Sequence, residues 1–394
     1  MQAAPNGIDA YPTAFTGAGG EYFRVWIVNV LLTVVTFGFY TPIARRRTAQ
    51  YFWGHTLVAD SPLEFVAETR RMMAGFVLLV VLYAAFQLAA ETGQEMAVAI
   101  MTLGGAALAP YFWGSAMRFR LNATRWRGVR LQFAASWGEV YRAGWPLFVM
   151  ALVWMAIQFI IVAMVPAEGE PPDGTGVLLG GLFTIGFVTT FLCVARLEFN
   201  TKSLMVARGR IGGQPGRWKP VFGDFVRIWV ATAGVLLATL VVIGVLLALG
   251  ALVLGGTWAA FRPRGTLWFV LLVMGSIVGG IVLLLLATSP ARAYREARMF
   301  RLVWNNIGVS HVARFKRDLE AGPYMRLRIR NVLLTVLTLG FWRPFALVSE
   351  YRMKAESVTL HVKGGLDQLA GQLAREEQGL GDAIADAVGL DLVS

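Results

Sequence analysis

Six long stretches without a charged residue dominate this chain of 394 residues. Each is about as long as the roughly 18 to 20 apolar residues that a helix needs to cross a hydrocarbon core of about 30 Å. Helices satisfy their own backbone hydrogen bonds in lipid, whereas a membrane barrel would show short alternating segments. The chain is therefore predicted to be an all-α polytopic membrane protein with six long transmembrane helices. The stretches are 72–90, 98–117, 143–167, 177–195, 228–261 and 265–291.

Positive charge is concentrated in alternate loops. The segments 43–71, 118–142, 195–227 and 289–330 hold 28 of the 36 Lys and Arg residues, and the turns 91–95 and 166–176 hold none. The positive-inside rule places the four basic loops, and with them both termini, in the cytoplasm. Because topology accounts for the net charge of +12, nucleic acid is not predicted as a partner.

One stretch occurs twice, at 20–42 and at 322–344, with 14 of 23 positions identical. The second copy has only 12 uncharged residues, 331–342, which as a helix cover about 18 Å. Both ends of each copy are predicted to be cytoplasmic, so we expect two short re-entrant or interfacial helices, with two further spans as the alternative. The residues that recur define a candidate pocket between the repeats: Asn29, Gly38, Pro42, Asn331, Gly340 and Pro344.

A shared pattern precedes four of the apolar segments. At 20–24, 138–142, 223–227 and 322–326 the chain reads Gly, an acid or Pro, two residues that include an aromatic, then Arg. An acid at a helix start complements the helix dipole, and an Arg one turn later can reach the phosphate layer. Simple anchoring competes with binding of anionic lipid headgroups as the role of these arginines. The candidates are Arg24, Arg142, Arg227 and Arg326.

Four regions are expected along the chain. They are 1–71 (strand, first repeat helix and basic segment), 72–291 (six-span core), 292–363 (basic segment and second repeat helix) and 364–394 (acidic soluble tail). Small cytoplasmic β-strands are predicted at 11–15, in a hairpin over 55–66, at 129–133 and at 356–362. The apolar spacing in the tail predicts a short docked amphipathic helix.

Sequence motifs for catalysis are missing. We find no phosphate-binding P-loop, no HExxH and no GxSxG, and the single Cys193 excludes a thiolate metal cluster. The centres of the six apolar stretches lack ionisable residues, which disfavours a proton-driven pump. No enzyme activity, cofactor or metal is predicted.

The repeated stretch, the segment 118–128 (RFRLNATRWRG), residues 301–306 and the ending NVLLTVLTLGFWRP resemble the YjgN-like bacterial inner-membrane proteins, a family of unknown function. The resemblance covers essentially the whole chain. One departure is Pro42-Ile43-Ala44-Arg45, where the family reads Pro-Trp-Ala-Lys, so an interfacial Trp is missing. The resemblance implies a multi-pass protein of the bacterial inner membrane and implies no reaction or ligand.

These observations predict a non-enzymatic protein that transports or senses a membrane-associated solute or an anionic lipid. The alternative is a structural or adaptor protein that binds a cytoplasmic partner through its basic loops and acidic tail. The lipid bilayer, with its anionic lipids, is the expected partner, and a homo-oligomer or a cytoplasmic protein partner is left open.

Overall fold

The computed structural model describes residues 8–164, 174–254, 265–309 and 313–363. Within these ranges six helices are long and apolar enough to cross a membrane, as predicted for a multi-pass protein. The predicted tail helix lies outside the described residues, as does the acidic tail on which the adaptor hypothesis partly rests. The six helices are α3 (Thr69–Glu91), α4 (Glu95–Asn122), α6 (Trp145–Met164), α7 (Thr175–Ala207), α8 (Phe222–Leu254) and α9 (Thr266–Asn305).

The prediction of an all-α fold is wrong, because the chain also builds an 11-stranded antiparallel sheet. Each strand has only two to six residues, which is too few for the alternation of apolar and polar side chains to be recognised. Paired strands on either side of a helical hairpin are also far apart in the sequence. Strands predicted as isolated pieces therefore belong to one sheet. They are β1 (Ile8–Pro12), β2 (Ala14–Phe15), β3 (Thr56–Val58), β4 (Ser61–Phe65), β5 (Thr124–Trp126), β6 (Val129–Phe133), β7 (Gly209–Ile211), β8 (Gln214–Trp218), β9 (Ile307–Val309), β10 (Ala313–Arg317) and β11 (Val358–Lys363).

The sheet nearly closes into a ring. Its order, β1-β11-β10-β9-β8-β7-β6-β5-β4-β3-β2, ends on two strands that are separated in the chain only by Thr13. The backbone N–H of Thr13 donates to the carbonyl of Val358 at 2.9 Å, so the junction is itself bonded to β11. Closure of this kind leaves few unpaired strand edges, which is how short strands avoid pairing with other chains.

The chain leaves the ring, turns and returns to it five times, each time as a helical hairpin between two strands. Three hairpins contain the six long helices, and the first and last are short. Because every hairpin begins and ends at the ring, the parts of the basic loops next to the strands lie on the ring side and the acidic turn 91–95 lies on the far side, whereas Arg45, Arg46 and Arg47 lie near the tip of the first short hairpin. The remaining helices are α1 (Gly19–Val35), α2 (Thr41–Gly54), α5 (Trp137–Ala143), α10 (Ala321–Leu337) and α11 (Arg343–Glu356).

Two-residue turns join three of the strand pairs that lie between hairpins. Both central residues have positive φ in each of three turns, as a type I′ turn requires. Such turns match the natural twist of paired strands, so the ring can pass directly from one helical hairpin to the next. The turns are Ala59 and Asp60, Arg127 and Gly128, and Gly212 and Gly213.

The inside of the ring is a packed core. Buried side chains from strands all around the ring contact one another, and the indole N–H of Trp126 donates to the carbonyl of Val58 at 3.1 Å. A ring filled in this way stabilises the fold by removing apolar surface from water. The cluster comprises Ala59, Trp126, Val129, Ala313, Leu360 and Val362.

Candidate functional site

The two repeated stretches form short helical hairpins that lie side by side. In each, a helix of 17 residues leaves the ring and one of 14 residues returns. The outgoing helix is about 25 Å long, somewhat less than a hydrocarbon core. The hairpins touch where the rings of Phe23 and Phe345 stack at 5.8 Å. Their tips are apolar and open, since Phe37 and Leu339 are 94% and 90% exposed.

The predicted Gly and Pro residues shape the tips of these hairpins. Gly38 and Gly340 have φ of +91° and +97°, a conformation that glycine adopts without strain. Pro42 and Pro344 occupy the first turn of the returning helix, where no backbone N–H is needed. All four residues therefore serve the reversal of the chain.

The two repeated asparagines have different surroundings. Asn331 is 1% exposed and donates to Ser349 Oγ at 3.0 Å and to Glu350 Oε1 at 3.1 Å. Asn29 is 6% exposed, and its amide makes one long contact of 3.4 Å to the carbonyl of Ala44. Neither Oδ1 atom has a hydrogen-bond partner among the described residues. The structure does not join the two asparagines in one pocket.

Ion pairs occupy the space beside Asn331. Arg328 Nη1 lies 2.5 Å from Glu296 Oε2 and 3.1 Å from Glu350 Oε2, and Lys354 Nζ lies 2.5 Å from Glu296 Oε1. This network ties α9, α10 and α11 together. Both of its carboxylates are already matched by cations, so the second hairpin keeps little polar capacity for a ligand.

A groove of about 740 Å³ runs beside the first hairpin instead. Small-molecule sites typically enclose about 300 to 1,000 Å³. The groove lies between α1 and α2 on one side and the ring end of α4 on the other. Its apolar wall includes Val30, Val34, Phe52, Met72 and Phe119.

The same groove has a polar lining that includes two arginines. Asn29, Thr33 and Thr48 face it, Arg45 lies one turn from the hairpin tip, and Arg120 lies near the ring. Within the described residues, no carboxylate lies within 4.0 Å of either guanidinium, although the Arg120 guanidinium lies 6.0 Å from the centre of the Trp53 ring. The groove thus offers positive charge that the protein does not itself neutralise.

The four arginines of the shared helix-start pattern are not brought together. Arg24, Arg142, Arg227 and Arg326 are exposed and lie on α1, α5, α8 and α10, all at the ring side. Only Arg227 contributes to one of the described cavities, which it shares with Arg298 and Arg301.

The acids of that pattern form hydrogen bonds at helix N-termini or ion pairs with cations outside the pattern. Asp224 Oδ2 accepts from the backbone N–H of Val221 at 3.3 Å. Glu139 forms a capping box with Ser136 and pairs with Arg208. The backbone N–H of Ser136 and the Arg208 guanidinium hold the pKa of the Glu139 carboxyl below its usual range. These contacts match the helix-start role of the acids. Among the described residues, neither Glu139 nor Asp224 forms an ion pair with the Arg of its own pattern.

Sequence reasoning missed Arg45 and Arg120 as site residues. The sequence analysis uses both only as positive charges of the basic loops, although Arg120 also lies in the segment that carries the family resemblance. The available signal was that Leu347 stands in the second repeat where Arg45 stands in the first. Across the ranges that the structure describes, no cluster of three His, Cys, Asp or Glu side chains has the arrangement of a metal site.

Known proteins resemble this chain along most of its length. Inner membrane protein YjgN of Salmonella typhimurium strain LT2 is 25% identical over 390 residues, which cover 93% of this chain and 91% of that protein. Inner membrane protein YjgN of Escherichia coli K12 is 24% identical over 167 residues, 41% of each chain. No solved structure matches.

The model of a family described as bacterial protein of unknown function, DUF898, matches residues 10–387. Its relatives are named inner membrane proteins, and the six long apolar helices fit a multi-pass membrane protein. The chain therefore belongs to the DUF898 family, the YjgN-like family of bacterial proteins.

Proposed function

We propose that this protein binds a membrane-associated amphiphile with an anionic head, such as an anionic lipid, in the groove beside the first hairpin. The observation that carries the proposal is the pair of unneutralised arginines, Arg45 and Arg120, in a groove whose remaining wall is largely apolar. The role is binding, as a step in transport or sensing, and not catalysis.

The orientation of the chain supports this reading. If the ring side faces the cytoplasm, as its basic loops favour, the short hairpins enter the cytoplasmic leaflet of the bilayer from the cytoplasmic side. Arg45, about 14 Å from the ring end of α2, then lies at the depth of the acyl chains. Ionisable residues at such depth are costly and mark ligand or ion pathways.

The packed ring argues for a ligand that enters from the side. An axial solute would have to pass the apolar cluster that fills the ring, whereas an amphiphile could reach the groove directly from the bilayer. Asn29 adds a specific contact, because its Oδ1 is buried at the groove without a partner in the described chain and can accept a hydrogen bond. A phosphate ester or hydroxylated headgroup would supply both the negative charge and the donor.

The test is lipid retention by the purified full chain. We would reconstitute it in nanodiscs of mixed phosphatidylcholine and phosphatidylglycerol and count retained lipids by native mass spectrometry. The double variant R45Q/R120Q is expected to lower phosphatidylglycerol retention by about tenfold or more, since each charge-assisted contact contributes about 1.5 to 3 kcal/mol. R47Q, an exposed arginine of the same helix outside the groove, is the matched control and should retain lipid like wild type.

A steric variant separates the groove from general surface charge. A116W places an indole in the groove and should lower retention, whereas A107W on the open face of the same helix should not. If R45Q/R120Q and A116W both retain as much phosphatidylglycerol as wild type, the groove is not the binding site.

A further inference from the structure

A second basic cavity lies far from the groove along the chain, where the start of α8 meets the end of α9. It has a volume of about 320 Å³ and is lined by three arginines from the two helices, Arg227, Arg298 and Arg301. Asn305 and Asn306 border it at the end of α9. We call this cavity the arginine basin; it shares no lining residue with the groove.

The positive charge of the basin is not neutralised by the protein. Among the described residues, no carboxylate lies within 4.0 Å of Arg227, Arg298 or Arg301. The one acid in the lining, Asp224, accepts a hydrogen bond from the backbone N–H of Val221. Three guanidinium groups therefore face one carboxylate that is already engaged at a helix start.

A fourth guanidinium lies beside the basin, inside the protein. Arg317 is 2% exposed, its guanidinium lies 3.6 Å from the centre of the Phe300 ring, and its Nη2 has no hydrogen-bond partner in the described chain. Burial lowers the pKa of Arg317 to about 9, so the side chain still carries its charge at neutral pH. Its neighbouring charges include Arg301, which adds to the positive potential, and Glu296, which opposes it.

Asn305 connects the buried Arg317 to the arginine basin. Its Oδ1 accepts a hydrogen bond from the backbone N–H of Arg317 at 2.8 Å, which fixes the orientation of the amide. The amide nitrogen of Asn305 is then left to donate to a ligand in the basin. Arginine forks together with amide donors are the side chains that recognise phosphate oxygens.

We infer that the arginine basin is a binding site for a phosphate group. The phosphate belongs either to a lipid headgroup at the ring-side surface or to a soluble phosphorylated compound. The site is separate from the proposed function of the groove, because neither its residues nor its ligand contacts involve Arg45 or Arg120.

Two arms of one experiment distinguish the sources of phosphate. In the first, the full chain in nanodiscs of phosphatidylcholine alone is titrated with inorganic pyrophosphate by calorimetry. In the second, nanodiscs that also contain phosphatidylglycerol are prepared with R45Q/R120Q protein, so that the groove does not contribute, and are analysed by native mass spectrometry for retained lipid. The double variant R298Q/R301Q is expected to weaken binding by about tenfold or more in the arm that reports the true ligand.

Matched variants keep the test specific. R292Q removes an exposed arginine from the same helix outside the basin and should bind like wild type in both arms. R298K/R301K keeps the charge but loses the planar fork, so it should bind more weakly than wild type and more tightly than the Gln pair. Loss in the first arm identifies a soluble phosphate, and loss in the second identifies a lipid headgroup. Absence of wild-type binding in both arms, or unchanged binding by R298Q/R301Q, overturns the inference.

Discussion

The asparagines of the two hairpins provide a matched pair of substitutions whose costs should differ. N331A removes a hydrogen bond of 3.0 Å to Ser349 and one of 3.1 Å to the charged Glu350. At about 1 kcal/mol for the neutral bond and about 2 kcal/mol for the charged one, the loss is about 3 kcal/mol. N29A removes only a contact of 3.4 Å to Ala44 and should cost about 0.5 kcal/mol. Each change also removes a buried Oδ1 that has no hydrogen-bond partner in the described chain. This contribution to stability therefore cancels when N331A is compared with N29A.

The assay is denaturation of the purified protein in detergent micelles, followed by far-UV circular dichroism. T36A and T338A calibrate the two hairpins, because both hydroxyls donate at 2.7 Å to a helix carbonyl and accept at 2.9 Å from the turn. These two variants should lose equal stability, whereas N331A should lose about 2.5 kcal/mol more than N29A. If N29A proves as destabilising as N331A, the claim that Asn29 is held for a ligand is refuted.

Three further outcomes are expected. G340A should lower the free energy of unfolding by about 1 to 2 kcal/mol, measured by the same denaturation. The φ of +97° is the only cause, since an added Cβ meets nothing within 4 Å. The control G322A lies in a helix and is equally unhindered, so it should be nearly neutral. E139Q should destabilise by up to about 1 kcal/mol near neutral pH, because Gln keeps the capping box but loses the exposed ion pair with Arg208. Since the pKa of Glu139 is lowered in the folded state, the difference from wild type should vanish as the pH falls through that pKa, and a constant difference would exclude the ion pair as its cause. R317M should change stability by less than about 1 kcal/mol at pH 7, because loss of the hydrogen bonds to Ser357 Oγ and to the carbonyl of Ala297 is offset by removal of a buried charge; denaturation at pH 7 would show or contradict this.

Sequence patterns predicted the membrane-spanning helices of this fold because the physical requirements of such a helix are local. A helix in lipid must be continuously apolar for about 20 residues, so each span could be located without reference to its neighbours. Two similar stretches likewise indicated two similar short helical elements, and the recurring Gly38 and Gly340 lie where these elements turn back. The arginines of the helix-start pattern lie on four different helices, so each stands apart from the others.

The ring and the two basic cavities depend on contacts between distant parts of the chain. A strand such as β7, Gly209–Ile211, has three residues and gains its identity only from partners on either side. Arg45 and Arg120 are 75 positions apart and form one groove because β3, β4 and β5 are neighbours in the sheet. The sequence by itself determined the medium and the number of long apolar helices. The tertiary structure alone decided which charges remain unpaired, because neutralisation depends on which side chains the closed ring brings within a few ångströms of one another.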